Sequence, residues 1–406
     1  MYFIILIALI RMCDSCLKNS EEIQLANSIF MPRVGLGTAG RMNQGPINIA
    51  LEEGVRLFDT ARAREWYNED ALAAAINAKN NRSKYFIVSK LHPRDHGYAS
   101  CLAAIQDSAQ KFHGMYIDAF LLHYPSCWDG LCGSGWESRV QGTWRDSWRA
   151  METAYRQGLV RAIGISNFNL DELRHLQDFA AIKPHLVQNW MDPFHQDSAV
   201  RAFCQQNSIV YMSYSTLGTQ WRQSANPVAT SPVLAQIAAT FDHATVQTVT
   251  LAWALQRGVV VLPRSFKSHH IKANAHLFSS NQLTPCLSSA QLSAIDDLDA
   301  TYDQSASSNA ITATFTSDFP AHVYWLDDNN AQHFVASIIG FNDKSGGGEA
   351  QTTKTSITTY KGHRFLVIPQ HGGGNATTLF TVNAKPGSRQ NFHLRADHHD
   401  DAEEEL

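Results

Sequence analysis

Residues 55–69 read VRLFDTARAREWYNE. An apolar pulse at Val55, Leu57 and Phe58 breaks at Asp59, and Trp66-Tyr67-Asn68-Glu69 then opens an Ala-rich run with helical spacing. This is a strand, a loop and a helix, with a carboxylate at the strand's C-terminal end and a phenol in the loop. In a β/α barrel those two places hold the catalytic groups. Outward from it, strand-like segments recur at 85–89, 119–123, 162–166, 186–189, 210–215 and 259–263, with an opening strand near Val34. Helical patterns separate them at 70–78, 99–111, 147–157, 170–179, 199–206 and 246–258. Eight alternations over ~270 residues match one (β/α)8 TIM barrel. A doubly wound sheet would place a G-x-G-x-x-G turn between a strand and a helix, and the chain contains none.

With 406 residues the chain has room for that barrel and a further module. Hydrophobic content of 44% and charged content of 17% are ordinary for a folded protein, and a net charge of -4 gives no reason to expect a nucleic-acid partner. Residues 2–10, YFIILIALI, fall short of the ~20 a membrane-spanning helix needs, so no integral span is expected. Their length suits the core of a signal peptide, yet basic residues before them and a small-x-small site after them are missing. The segment 1–24 therefore leaves both the cytoplasm and the secretory pathway open. Seven cysteines without regular spacing do not form a disulfide framework, although Cys127 and Cys132 flank a Gly-rich turn and could pair in an oxidising compartment. No finger-like Cys/His spacing points to a metal.

Four polar groups fall at equivalent barrel positions: Asp59 after Phe58, Lys90 after FIVS, His123 after AFLL, and Tyr67 in the first of these loops. They suit delivery of a proton to a carbonyl oxygen while hydride reaches its carbon. A phenol of pKa ~10 needs a neighbouring ammonium to bring it toward neutrality, so Lys90 is expected to lower Tyr67, with Asp59 holding Lys90 and His123 orienting the carbonyl or sharing the proton. Taken one at a time, each has an ordinary structural explanation, because buried Asp-Lys pairs and strand-end histidines are common in cores.

Further blocks set these residues in a family context: MPRVGLGT (31–38), FDTA with YNE after it (58–69), SKL (89–91), LLHYP (121–125), GLVRAIGISNFN (158–169), Gln188-Asn189, YSTLGT (214–219), and LPRS with HIKAN (262–274). In this order they resemble the aldo-keto reductases over residues 25–300, about two thirds of the chain. The resemblance implies an (α/β)8 barrel that reduces an aldehyde or ketone with a nicotinamide cofactor, and a catalytic set of Asp59, Tyr67, Lys90 and His123. It also implies that Ser166, Asn167 and Gln188 bind the carboxamide and that Tyr214 stacks on the ring. Ser215, Leu217 and Thr219 would follow the pyrophosphate, and Arg264, Ser265 and Asn274 would meet the adenosine end.

Three departures qualify the match. The family spaces its tyrosine five residues after the aspartate, where this chain has Arg64, and the RAREWY loop is expanded. Alignment back from Asn68-Glu69 lands on Trp66, whose indole is no proton acid, so Tyr67 is expected to be the donor. Arg264 stands for the family's usual lysine and His270 for the arginine that grips the 2′-phosphate, which leaves NADPH expected and NADH admissible. Trp128, Trp136, Trp144 and Trp221 either wall the substrate or pack within their own loops. The competing functional reading is a silent nucleotide-binding sensor or interaction subunit.

A Ser/Thr/Ala-rich stretch, 301–316, reads as a linker. Residues 317–395 then pulse in short alternating strands, expected as an all-β sandwich. HVYWLDDNNAQ, SITTYKGHRFLVI and FTVNAKPG weakly resemble the β-domain of the von Hippel-Lindau tumour suppressor, which implies a protein-binding module. Residues 396–406 form an acidic tail.

Overall fold

Eight short parallel strands follow one another around the sheet in chain order: β3 (Gly35–Gly37), β4 (Leu57–Asp59), β5 (Phe86–Leu91), β6 (Ile117–Leu122), β7 (Val160–Ser166), β8 (Leu186–Trp190), β9 (Val210–Tyr214) and β10 (Val260–Val261). The edge strands nearly close the barrel: Val34 bridges Val261, the Val261 N–H donates to the Arg33 carbonyl at 2.9 Å, and Gly37 N–H donates to Pro263 at 3.2 Å. The structure is a computed structural model and describes residues 21–113, 116–221, 226–277, 285–299 and eight strands between 310 and 403. Expectations for most of the N-terminal segment, for 301–309 and for most of the acidic tail lie outside the described residues.

Strands β5 and β6 are buried at every position. That is why their sequences are apolar but for Ser89, Lys90 and Asp118: helices cover the outside while the barrel fills the inside. One interior cluster stacks Leu57, Phe86, Val88, Ala119, Leu121, Ala162, Leu186, Val210, Met212, Val260 and Leu262 in layers. A hairpin of β1 (Glu22–Gln24) and β2 (Phe30–Pro32) adds Leu25 and Met31 to that cluster. At the other end the apolar filling stops and polar side chains begin.

Two helix starts fix the polar end. Asn68 caps the helix Glu69–Asn77, its side chain accepting the Ala71 N–H at 3.1 Å, so Tyr67 is the last loop residue before a fixed point. Asn169 and Glu172 form a reciprocal capping box on the helix Leu170–Phe179, just past the SNFN turn.

The chain divides into two compact units, Met1–Cys127 with Glu137–Asp299, and Trp128–Trp136 with Ala300–Leu406. The second contains two four-stranded sheets, ordered β14-β11-β17-β18 and β13-β12-β15-β16. Its first strand, β11 (Ala310–Ser317), overlaps the end of the stretch read as linker, and pairs antiparallel with β14 (Thr353–Tyr360) and parallel with β17 (Arg389–Leu394). The other sheet joins β12 (Ala321–Leu326), β13 (Gln332–Ile338), β15 (Arg364–Pro369) and β16 (Thr378–Thr381), and β18 is Ala402–Glu403.

Candidate active site

Asp59 ends β4, and its register partners are Gly37 on one side and Val88 on the other. Lys90, two residues beyond Val88, is fully buried and donates to Asp59 Oδ1 at 2.7 Å and to the Thr60 carbonyl at 2.9 Å. Gln188 Nε2 approaches the same carboxylate oxygen at 2.8 Å from across the barrel. Burial pushes the Lys90 ammonium below its usual 10.5, and the facing Asp59 opposes that shift.

Tyr67 lies over this pair, with Lys90 Nζ 4.9 Å from its ring centroid, within cation-π range. His123, just past β6, meets the Tyr67 ring edge-on at 5.9 Å. The structure thus brings Asp59, Tyr67, Lys90 and His123 to one end of three adjacent strands. Trp66 also touches His123, at 5.9 Å, but stands 36% exposed at the rim. Lys90 was expected to lower the Tyr67 phenol; instead burial, then Asp59, push it well above 10. The ring therefore carries its proton in neutral water, as a donor must. Burial, and after it Lys90 and His92, hold His123 well below 6.5, so its imidazole is neutral. Its buried Nδ1 has no protein partner.

The cofactor candidates gather at the ends of β7, β8 and β9. Asn167 takes a left-handed backbone conformation (φ 61°) and commits both ends of its amide within the protein: Nδ2 donates to the His123 carbonyl at 2.8 Å, and Oδ1 accepts from the Tyr214 hydroxyl at 2.6 Å. Asn167 accordingly positions the Tyr214 ring. With Gln188 Nε2 given to Asp59, the Ser166 hydroxyl and Gln188 Oε1 remain as a donor and an acceptor, the complement of a carboxamide. Ser215 and Gly218 both adopt positive φ, and the Thr219 hydroxyl donates to Ser215 Oγ at 2.8 Å. Asn226 Nδ2 fixes the Leu217 carbonyl at 2.8 Å. The resulting tight turn exposes backbone and hydroxyl groups suited to a diphosphate.

Arg264, Ser265 and Lys267 precede the helix Ser268–Ala275, which carries Asn274. Ser265 Oγ bonds His270 Nδ1 at 3.2 Å and receives the Lys267 N–H at 3.1 Å. The cation set and helix start suit a phosphate monoester.

Sequence reasoning overlooked two clusters near this end. Glu65, His92 and Arg94 form a hydrogen-bonded group beside the expanded loop. Asp192 Oδ2 accepts both the Trp190 and Trp221 indole N–H groups, at 2.8 and 2.9 Å, while Trp190 stacks on His195 at 3.9 Å. The alternation of β8 was the available signal, since it turns Trp190 to the same side as Gln188. Trp221 is thus part of an aromatic cluster. Trp144 instead packs edge-on against Phe168 and Phe179, and Trp128 and Trp136 belong to the second compact unit. Cys127, Cys132 and Cys286 are disulfide-bonded, whereas Cys101 and Cys204 are buried free thiols.

Comparison with known proteins agrees with the barrel fold. The aldo/keto reductase family model matches residues 41–300. A glyoxal reductase of Bacillus subtilis is 32% identical over 263 residues, covering 64% of this chain and 87% of its own. An NADPH-dependent codeinone reductase of Papaver somniferum is 32% identical over 277 residues, 64% of this chain and 84% of its own. Among solved structures, the Bombyx mori aldo-keto reductase in complex with NADP superposes with a TM-score of 0.60 at 26% identity, covering 69% of this chain and 92% of that one. With the barrel, its polar end and these likenesses together, the chain belongs to the aldo/keto reductase family and is an oxidoreductase of it.

Proposed function

We propose that the protein reduces an aldehyde or ketone to the alcohol with NADPH, and that Tyr67 donates the proton. The observation that carries this reading is the approach of Tyr67, Lys90, Asp59 and His123 at the ends of β4, β5 and β6. Relatives named for NADPH or bound to NADP support the cofactor, as do Arg264 and Lys267 beside Ser265.

NADPH, when bound, supplies the hydride that adds to the carbonyl carbon. Tyr214, fixed by Asn167, offers a flat platform at the barrel end, and Ser166 with Gln188 matches a carboxamide's two hydrogen-bonding ends. The neutral His123 imidazole orients the carbonyl oxygen toward the Tyr67 hydroxyl. As the C–H bond forms, that oxygen takes the Tyr67 proton, and the phenolate left behind is stabilised by the Lys90 ammonium over its ring. Asp59 holds the ammonium in place, and solvent then restores the phenol.

Tyr67→Phe tests the assignment beside Trp66→Phe, with a panel of aldehydes and with NADPH affinity followed by fluorescence. Losing a general acid costs roughly 100-fold or more in kcat. Tyr67→Phe is expected to fall by that much at unchanged NADPH affinity, while Trp66→Phe stays within about 3-fold. Full activity in Tyr67→Phe would remove the phenol from the mechanism.

A further inference from the structure

Glu65 stands two residues before Tyr67, in the loop that departs from the family's spacing. Its carboxylate takes Arg94 Nη2 on both oxygens, at 2.9 and 2.7 Å, and His92 Nε2 on Oε1 at 2.6 Å. The direction of the last bond is fixed by the other ring nitrogen. His92 Nδ1 accepts the Arg94 backbone N–H at 3.1 Å, so it carries no proton, and Nε2–H donates to Glu65. Arg94 is 44% exposed and Glu65 34%, so the arginine pair alone is weak; the fully buried His92 supplies the directional bond.

His92 directly follows β5, two residues after Lys90. One carboxylate therefore ties the expanded loop to the strand that carries the ammonium. The remaining ties differ in kind. Arg62 N–H reaches the Lys90 carbonyl at 3.1 Å at the loop's start, while Trp66 and Tyr67 N–H both turn back on the Ala63 carbonyl, at 3.0 and 2.8 Å. Those last two bonds shape the turn, and the Trp66 carbonyl accepts the Gly40 and Arg41 N–H groups at 2.7 and 2.8 Å, which ties the loop's backbone to the turn after β3 and not to the strand that carries Lys90. On the far side of Tyr67, the Asn68 cap anchors the helix.

We propose that Glu65 is the positioning residue for Tyr67: with His92 and Arg94 it clamps the expanded loop so that a tyrosine out of the usual spacing reaches Lys90. The inference rests on the reading of Tyr67 as proton donor. It assigns Glu65 no contact with substrate or cofactor.

The test compares Glu65→Ala, Glu65→Gln and Glu65→Asp in the full chain, measuring kcat, aldehyde KM, NADPH affinity and Tm. Displacement of a reacting group by about 1 Å costs on the order of 100-fold. Glu65→Ala is expected to lose roughly 10- to 100-fold in kcat at unchanged NADPH affinity. Glu65→Gln keeps an oxygen for His92 and Arg94 and should return within about 3-fold of the parent; Glu65→Asp, one methylene short, should not. Placed on Tyr67→Phe, Glu65→Ala should lower kcat no further, since both changes remove the same group's action.

Unchanged kcat in Glu65→Ala, equal loss in Gln and Ala, or additive losses in the double variant would each overturn the clamp. Should Glu65→Ala fail to fold, the Gln and Asp pair decides by the same order. The two readings separate cleanly. A Tyr67→Phe enzyme with full activity removes the donor itself, whereas a crippled Tyr67→Phe beside an intact Glu65→Ala removes only the clamp.

Discussion

In the proposed NADPH site, Arg264 and His270 would divide the task of meeting a 2′-phosphate unequally. His270 is pushed below 6.5 by burial and by neighbouring His269 and Lys267, so near pH 7 it is largely uncharged. The fixed charges at this corner are then Arg264 and Lys267, and the Arg264 guanidinium lies so close to Gly40 that a Cβ there would stand 3.0 Å from Nη1. A charged hydrogen bond contributes about 1.5–3 kcal/mol, which is roughly 10- to 100-fold in affinity. Arg264→Ala should weaken NADPH by about 10-fold, the lower end being appropriate to an exposed group, and NADH by less than about 3-fold. Fluorescence titration of both nucleotides at one ionic strength measures the two values, and equal losses would place the 2′-phosphate elsewhere.

At the scale of elements, β7 shows why strand order was legible and loop geometry was not. Its Gly164 faces a crowded neighbour: an added Cβ would stand 2.3 Å from the Leu186 carbonyl oxygen and 2.7 Å from Leu121 Cδ2. Backbone cannot yield that distance locally, so Gly164→Ala forces β7 and β8 apart, at a cost of about 1–3 kcal/mol or more. The expected outcome is a lower denaturation midpoint with an unchanged m-value, and a midpoint within error of the parent would show that the strands separate freely. Barrel strands are buried on both faces, so apolar runs such as FIVS and AFLL announced themselves. The 310–317 strand did not, because ITATFTS carries its alternation on Ile311, Ala313 and Phe315 among residues whose composition suggests a linker. Asp59, Lys90 and His123 were readable because each sits at a strand end. The Glu65 clamp was not, because its three members meet only after the loop between β4 and the helix Glu69–Asn77 has folded.

For the whole molecule, the barrel's dependence on acidity follows from histidines buried without charge. His96 is 3% exposed; its Nε2–H donates to the Tyr124 carbonyl at 3.1 Å and its Nδ1 meets Ser147 Oγ at 3.0 Å, which joins the β5 and β6 loops to the helix Trp144–Arg156. Burial lowers it from 6.5 to about 4. The unfolded chain therefore binds a proton that the folded chain refuses throughout the window between those values. Stability is complete above about pH 6.5 and is lost progressively as the pH falls toward 4, where the folded state also protonates. At pH 5 the unfolded state has gained about 1.5 pH units of protonation, equivalent to roughly 2 kcal/mol from this residue. His92 and His123 are shifted in the same direction, the first chiefly by burial and Arg94, the second by burial and Lys90, so the total exceeds that of His96 alone. Urea unfolding followed through the buried Trp148 and Trp253 should show a midpoint at pH 5 clearly below that at pH 7. In His96→Gln the difference between the two pH values should shrink by about 2 kcal/mol, because an amide can bond the same two partners and does not titrate. If the variant and the parent lose equal stability between pH 7 and 5, the acid sensitivity resides in other groups and His96 is only a spacer between the loops.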